Sequence, residues 1–220
     1  MTDGDTDTYT DQELEVGRLL FARAVSFMLS VVNLASLPKT DLPEVCFAGR
    51  SNVGKSSLIN TLTNQNGLAR ASNTPGRTRE LNYFNVNDQL RLVDLPGYGY
   101  ARASKTDIAR WTKLTRQFLR GRVNLRRVFL LIDSRHGLKP SDFELMDMLD
   151  EAAVTYQIIL TKIDKIKPPA REAVAQATLA AIAKRPAAHP RLLSTSSAKS
   201  YGIDMLRAEI ALLALPSPSV

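Results

Sequence analysis

The sequence predicts an α/β domain built on a mostly parallel sheet, with helices on both faces and one antiparallel strand pair. Two observations carry this. Short apolar, β-branched runs recur along the chain, and segments with helical periodicity lie between several of them. The runs 81–86 and 89–94 are instead joined only by Asn87-Asp88, which suits a hairpin. With 220 residues, 44% of them apolar, the chain can bury one generous core.

The elements follow in order. Residues 1–16 read as an acidic, Thr-containing tail without structure, although Gln12 to about Arg23 can form a short helix. Val25–Leu29 suits an edge strand. Strands are expected at 45–48, 81–86, 90–94, 127–133, 157–161 and 191–194. Helices are expected at 55–64, 104–120, 140–151, 168–184 and 203–213. The folded domain is thus placed at 17–215, with 216–220, rich in Pro and Ser, as a frayed end. No internal repeat is visible.

Composition excludes several classes. The lone Cys46 leaves no disulfide framework and no multi-cysteine metal site, and its apolar setting reads as a buried hydrophobe. The opening residues lack the positive charge of a secretory leader. Leu19 to Leu37 is apolar, but Arg23 and Asn33 interrupt it, so no membrane span is expected. A reduced, cytoplasmic setting fits. Net charge is +7. Six acids and no base fall in residues 1–17, which leaves 29 bases against 16 acids in the rest. A body this basic suits a polyanionic partner, nucleic acid before membrane.

Gly49-Arg50-Ser51-Asn52-Val53-Gly54-Lys55-Ser56 matches the phosphate-binding pattern GxxxxGK[ST] and lies between a predicted strand and a predicted helix. Glycines let backbone N–H groups wrap phosphate oxygens, and the helix start adds its dipole. Lys55 offers charge to the β/γ oxygens and the Ser56 hydroxyl is a Mg²⁺ ligand. Asp94-Leu95-Pro96-Gly97 follows a strand some 40 residues later. There the carboxylate can hold Mg²⁺ through water and the Gly97 N–H can sense the γ-phosphate.

Thr161-Lys162-Ile163-Asp164 closes another strand. Guanine presents N1–H and its exocyclic amine side by side, and one carboxylate, Asp164, accepts from both. Adenine lacks those donors and would leave the carboxylate unpaired. The Lys162 stem would lie along the base. Thr195, Ser196 and Ser197, before Ala198-Lys199, follow the last strand, where backbone N–H groups reach the guanine O6. These motifs together read as a GTP/GDP site. A P-loop kinase is disfavoured by the TKID segment.

The stretches GRSNVGKSSLIN, NTPGRT, RLVDLPGYGYA, TKIDK and SSAK–YG resemble the EngB-type (YihA/YsxC) ribosome-biogenesis GTPases of bacteria over about residues 17–215. The resemblance implies a Ras-like domain, Mg²⁺-dependent GTP hydrolysis, and a role in large ribosomal subunit assembly and normal cell division and septation. It makes Thr78 the threonine that completes the Mg²⁺ shell and, with Lys55, serves catalysis; Thr74 is the rival candidate. It also places Gly76, Arg77, Arg79 and Glu80 beside the nucleotide. Tyr98 stands where Ras-like enzymes carry the water-orienting Gln, so intrinsic hydrolysis should be slow. Compensating charge would come from a partner, from K⁺ held near Asn52, or from Arg50.

At 100° per residue, Arg110, Lys113, Arg116 and Arg120 share one face of the helix at 104–120, opposite Trp111, Leu114 and Phe118. Ribosomal RNA of the large subunit or its precursor is the expected partner of this face. The alternative is a division- or membrane-associated GTPase whose basic face meets anionic lipid or protein partners; no lipidation motif supports it. A monomer is expected. His136 and His189 lack a metal partner at ligand spacing.

Overall fold

The computed structural model describes residues 9–69, 80–99 and 105–214. Among the described residues seven strands form one sheet: β1 (Ser26–Val31), β2 (Glu44–Gly49), β3 (Leu81–Val86), β4 (Leu90–Asp94), β5 (Leu125–Asp133), β6 (Tyr156–Thr161) and β7 (Leu193–Ser194). Their spatial order is β1-β3-β4-β2-β5-β6-β7. From β4 through β7 every neighbour runs parallel. β3 runs against the rest, pairing antiparallel with β4, as the hairpin reading expects, and also with the edge strand β1. Asn87 and Asp88 hold φ of 53° and 55°, a left-handed turn that Asn and Asp tolerate.

Helices are α1 (Asp11–Leu20), α2 (Lys55–Leu62), α3 (Lys105–Gly121), α4 (Pro140–Glu151), α5 (Pro168–Ile182) and α6 (Ile203–Ala214). The central strands are buried along their whole length, as a sheet covered on both faces requires. Successive residues serve opposite faces. Val45, Phe47, Phe129 and Leu131 pack with Leu58, Leu62, Leu206 and Ile210. Cys46, Ala48, Val128 and Leu130 pack with Phe118, Leu145, Leu149 and Ile182. Burial pushes the Cys46 thiol up, which makes it an inert core residue. Among the described residues no helix is long and apolar enough to cross a membrane.

The short helix expected from Gln12 to about Arg23 is α1, so the boundary of the unstructured tail at residue 16 is corrected: structure begins by residue 9. Thr10 caps α1: its hydroxyl accepts from the Glu13 N–H (3.2 Å), and the Glu13 carboxylate accepts from the Thr10 N–H (2.8 Å). The helix lies directly on α6, where Gly17 leaves no room. A Cβ there would stand 2.4 Å from the Ala208 nitrogen. The Tyr9 hydroxyl donates to the buried Glu209 carboxylate, which also pairs with Arg127 of β5. The fold therefore begins by Tyr9; residues 1–8 and 215–220 lie outside the described residues.

On α3, Arg110, Lys113, Arg116 and Arg120 are exposed while Phe118 is buried, so the two faces separate as the periodicity predicts. An acid from another helix stands beside the stripe. Glu151 at the end of α4 stands 3.5 Å from Arg120 and 3.9 Å from Arg116.

Candidate functional site

Strands β2, β4, β5, β6 and β7 all end at one edge of the sheet. Parallel strands place their carboxyl ends together, and open α/β sheets bind ligands there. Four sequence segments far apart in the chain thereby meet: the turn after Gly49, the loop from Asp94, the turn at Thr161–Asp164 and the turn at Thr195–Ser197.

The first turn is shaped by its backbone. Gly49 is packed so closely that a Cβ would meet Val53 Cγ1 at 2.8 Å. Asn52 (φ 66°) and Gly54 (φ 105°) both take left-handed conformations, which turn successive N–H groups into one concavity. The first helical bond of α2 runs from the Leu58 N–H to the Gly54 carbonyl (2.8 Å), so the N–H groups of Lys55 and Ser56 face out of the helix end. Neighbours brace the loop on three sides. The Ser51 N–H donates to the Tyr98 carbonyl (2.9 Å), the Thr161 hydroxyl to the Val53 carbonyl (2.8 Å), and Lys162 Nζ to the Asn52 carbonyl (2.6 Å). Lys55 of α2 forms an ion pair with the nearly buried Asp94.

Leu95 and Pro96 lead from β4 to Gly97, which lies against the phosphate loop. A Cβ on Gly97 would stand 3.1 Å from Ser51 Oγ and 3.3 Å from the Ser51 nitrogen. Tyr98 then turns away. It is buried, its hydroxyl donates to Asp142 at the start of α4 (2.8 Å), and its ring lies 5.3 Å from that of Trp111. Trp111 in turn donates to the Pro96 carbonyl (3.1 Å). Burial raises the pKa of both Tyr98 and Asp142.

At the other end, the Thr195 N–H donates to the Leu160 carbonyl (2.7 Å) and the Ile163 N–H to the Thr195 carbonyl (3.2 Å), which ties the β6 and β7 ends together. Ser196 caps the short turn 197–199, accepting from the Lys199 N–H (3.2 Å), and donates its hydroxyl to Asp164 (2.6 Å). That bond, with Lys165 nearby, holds the Asp164 carboxyl below its ordinary pKa and therefore ionised. Lys162, itself left-handed at φ 58°, lays its Cε 3.5 Å from where a Gly54 Cβ would be.

Gly49 to Ser56, Asp94 to Gly97, Thr161 to Asp164 and Thr195 to Ser197 thus share one edge. Glu80 is half-buried at the entry to β3. Gly76, Arg77, Thr78 and Arg79, and the rival Thr74, lie outside the described residues. Reading the chain for motifs misses Asp133, Arg135 and Asp142, which meet this edge from β5 and α4. With Arg50, Ser51 and Asn52 they line a cavity of about 200 Å³ behind the phosphate loop. Asp133 ends a strand just as Asp94 does, a signal that sequence does offer.

A phosphate cradle at the end of β2, with an ionised carboxylate, Asp164, after β6 two strands away, is the arrangement of a P-loop GTPase. The comparisons agree. The family model described as "50S ribosome-binding GTPase" matches residues 44–162. A probable GTP-binding protein EngB of Caulobacter vibrioides is 57% identical over 207 residues, covering 94% of this chain and 90% of the relative. Its counterpart in Rhodospirillum rubrum is 54% identical over 218 residues, covering 94% of each. A crystal structure of a probable GTP-binding protein engB superposes with a TM-score of 0.61 at 24% identity, covering 78% of this chain and 98% of that one, which supports the fold. The chain belongs to the EngB family of GTP-binding proteins.

Proposed function

We propose that this GTPase is a nucleotide-operated switch that docks on the large ribosomal subunit, or its precursor, during assembly, and through that role supports normal cell division and septation in the cytoplasm. The observation that carries the reading is the exposed row Arg110, Lys113, Arg116 and Arg120 on α3, the helix that follows the Asp94–Gly97 loop. The family description, a GTPase that binds the 50S ribosome, supports the same partner.

In this reading the N–H groups from Gly49 to Ser56 wrap the phosphates and Lys55 serves the β/γ oxygens. Asp164 reads the guanine edge, and the turn at Thr195–Ser197 supports it. Ser56, Thr78 and Asp94 would hold Mg²⁺. Hydroxyl and carboxylate oxygens suit this hard ion, and among the described residues no three His, Cys, Asp or Glu side chains form a protein cage. One carboxylate beside phosphate oxygens is the usual Mg²⁺ arrangement. When bound, the ion neutralises charge building on the phosphoryl oxygens. Lys55 and Asp94, each other's partner here, supply the two opposite charges that this division of labour needs. Tyr98 is engaged with Asp142 and so orients no water, which makes unaided hydrolysis slow. K⁺ near Asn52 is the proposed supplement.

Co-sedimentation with large subunits tests the docking. GTP-loaded protein should pellet with the subunit more than GDP-loaded protein does. Replacing Lys113, Arg116 and Arg120 together by Ala should weaken binding and lower the log–log salt slope by about 2–3, at 0.7–0.9 per lost phosphate contact. A triple variant that sediments like wild type at every salt concentration would remove α3 from the interface.

A further inference from the structure

We propose that Asp133 is a positioning residue for the guanine nucleotide, acting through Lys162, and that Arg135 locks it in place. The inference rests on the nucleotide site described above and adds a control point that no motif contains. Asp133 is the last residue of β5, at the same sheet edge as the phosphate loop. Its carboxylate is held in a two-toothed grip by Arg135: Nε donates to Oδ1 (2.9 Å) and an η nitrogen to Oδ2 (2.7 Å). Its own Oδ1 also accepts from the Arg135 N–H (3.1 Å). A side chain fixed at this many points has one orientation.

The carboxylate so fixed faces Lys162, whose Nζ stands 3.0 Å from Oδ2. The same Nζ donates to the Asn52 carbonyl (2.6 Å), and the lysine stem passes over Gly54. Lys162, just past the end of β6, therefore ties its own strand end and that of β5 to the phosphate loop through one nitrogen. Lysine is a flexible four-carbon chain with a point charge, so its place depends on what fixes the charge. Asn52 is one anchor, and its left-handed backbone puts that carbonyl where Nζ can reach it. Asp133 is the other, and it alone carries opposite charge. Burial works to raise the Asp133 carboxyl, but the Arg135 and Lys162 hydrogen bonds outweigh it and keep it ionised far below neutral pH. Without Asp133, Lys162 keeps one neutral acceptor and gains rotamer freedom. The stem that would cover the base is then no longer held flat, and the Asn52 carbonyl loses a fixed donor. Arg135 touches neither Lys162 nor the loop in these contacts, so its effect must pass through Asp133 and be smaller.

Fluorescent-GDP binding and release by full-length protein tests this. Asp133→Ala should weaken GDP and GTP binding alike by about tenfold or more, the range for losing a hydrogen bond between charged groups. The loss should appear in faster release. Asp133→Asn should fall between Ala and wild type, and Arg135→Ala should have a smaller effect than Asp133→Ala. The deciding readout is a double-mutant cycle. In a Lys162→Ala background, Asp133→Ala should cost at most about twofold more, because the residue it positions is gone. Circular dichroism on each variant establishes that the fold is kept. Wild-type affinity and release in Asp133→Ala would overturn the proposal. So would an undiminished loss in the Lys162→Ala background, which would mark Asp133 as a structural residue of the β5 end. Wild-type protein that bound no guanine nucleotide would instead sink the reading of the site itself.

Discussion

Replacing Tyr98 by Phe removes one oxygen from a buried place and leaves the ring. The Tyr98 hydroxyl donates to Asp142 over 2.8 Å, and these two residues are 6% and 1% exposed, so water cannot take over the bond. The other Asp142 oxygen keeps its bond from the Lys139 N–H (2.7 Å). Packing against Trp111 survives, so no cavity cost is added. What remains is the loss of one hydrogen bond to a charged acceptor, about 1.5–3 kcal/mol. For a domain of this size each kcal/mol moves the melting temperature by about 2–4 °C. A loss near 2 kcal/mol should therefore lower Tm by about 4–8 °C in a circular dichroism melt. Hydrolysis of GTP should stay within about twofold of wild type, because the hydroxyl faces α4 and not the phosphate loop. In an Asp142→Ala background the same change should cost little more, since the acceptor is gone. An unchanged Tm would show the bond to be absent in solution. A tenfold fall in hydrolysis would refute the reasoning, for it would put the hydroxyl in the reaction.

The other predictions draw on separate parts of the fold. Gly17→Ala should destabilise by about 1–3 kcal/mol, the cost of overpacking, because its Cβ meets α6 backbone; a thermal melt reads it. Glu151→Gln frees Arg116 and Arg120 from their nearest acid and should tighten docking to large subunits in a salt-dependent way. Asp133 has a pKa below its ordinary 3.8, so its stabilising contribution is complete above that value and is lost as pH falls through the lower, folded pKa. The Tm difference between wild type and Asp133→Asn should thus be full at neutral pH and shrink below about pH 4. Hydrolysis should run faster in K⁺ than in Na⁺ at equal ionic strength, and Asn52→Ala should abolish that difference.

The parts of the site legible in the sequence are those made by local backbone geometry. A turn that needs Gly at two places and a Lys at the helix start leaves a signature within eight residues, and TKID and DLPG do the same at strand ends. The strands are legible because β2, β4 and β6 are buried throughout and read as apolar runs. What escapes is contact between distant residues. Tyr98 meets Asp142 and Asp133 meets Lys162 only after the sheet order has brought their strand ends together, and no spacing announces either pair. Glu151 reaches the α3 stripe from the end of another helix, so the acid beside the stripe is not visible in the stripe's own sequence. At the N-terminus the short helix is legible, and α1 (Asp11–Leu20) matches the expected stretch from Gln12, but the boundary of the tail is not. Six acids in 17 residues suggested a solvated tail. The local signal that mattered was the capping pair Thr10 and Glu13, followed by a glycine that lets the helix lie on α6.

Competition binding tests the central claim most directly: that this edge of the sheet reads a guanine nucleotide through Asp164. Fluorescent GDP is displaced by GTP, XTP or ATP, on wild type and on Asp164→Asn. The account predicts that GTP, and neither ATP nor XTP, competes on wild type. On the variant XTP should compete better than GTP, because the new amide donates to the carbonyl that replaces the guanine amine. ATP competing as well as GTP on wild type, or an unchanged GTP preference in the variant, would contradict it.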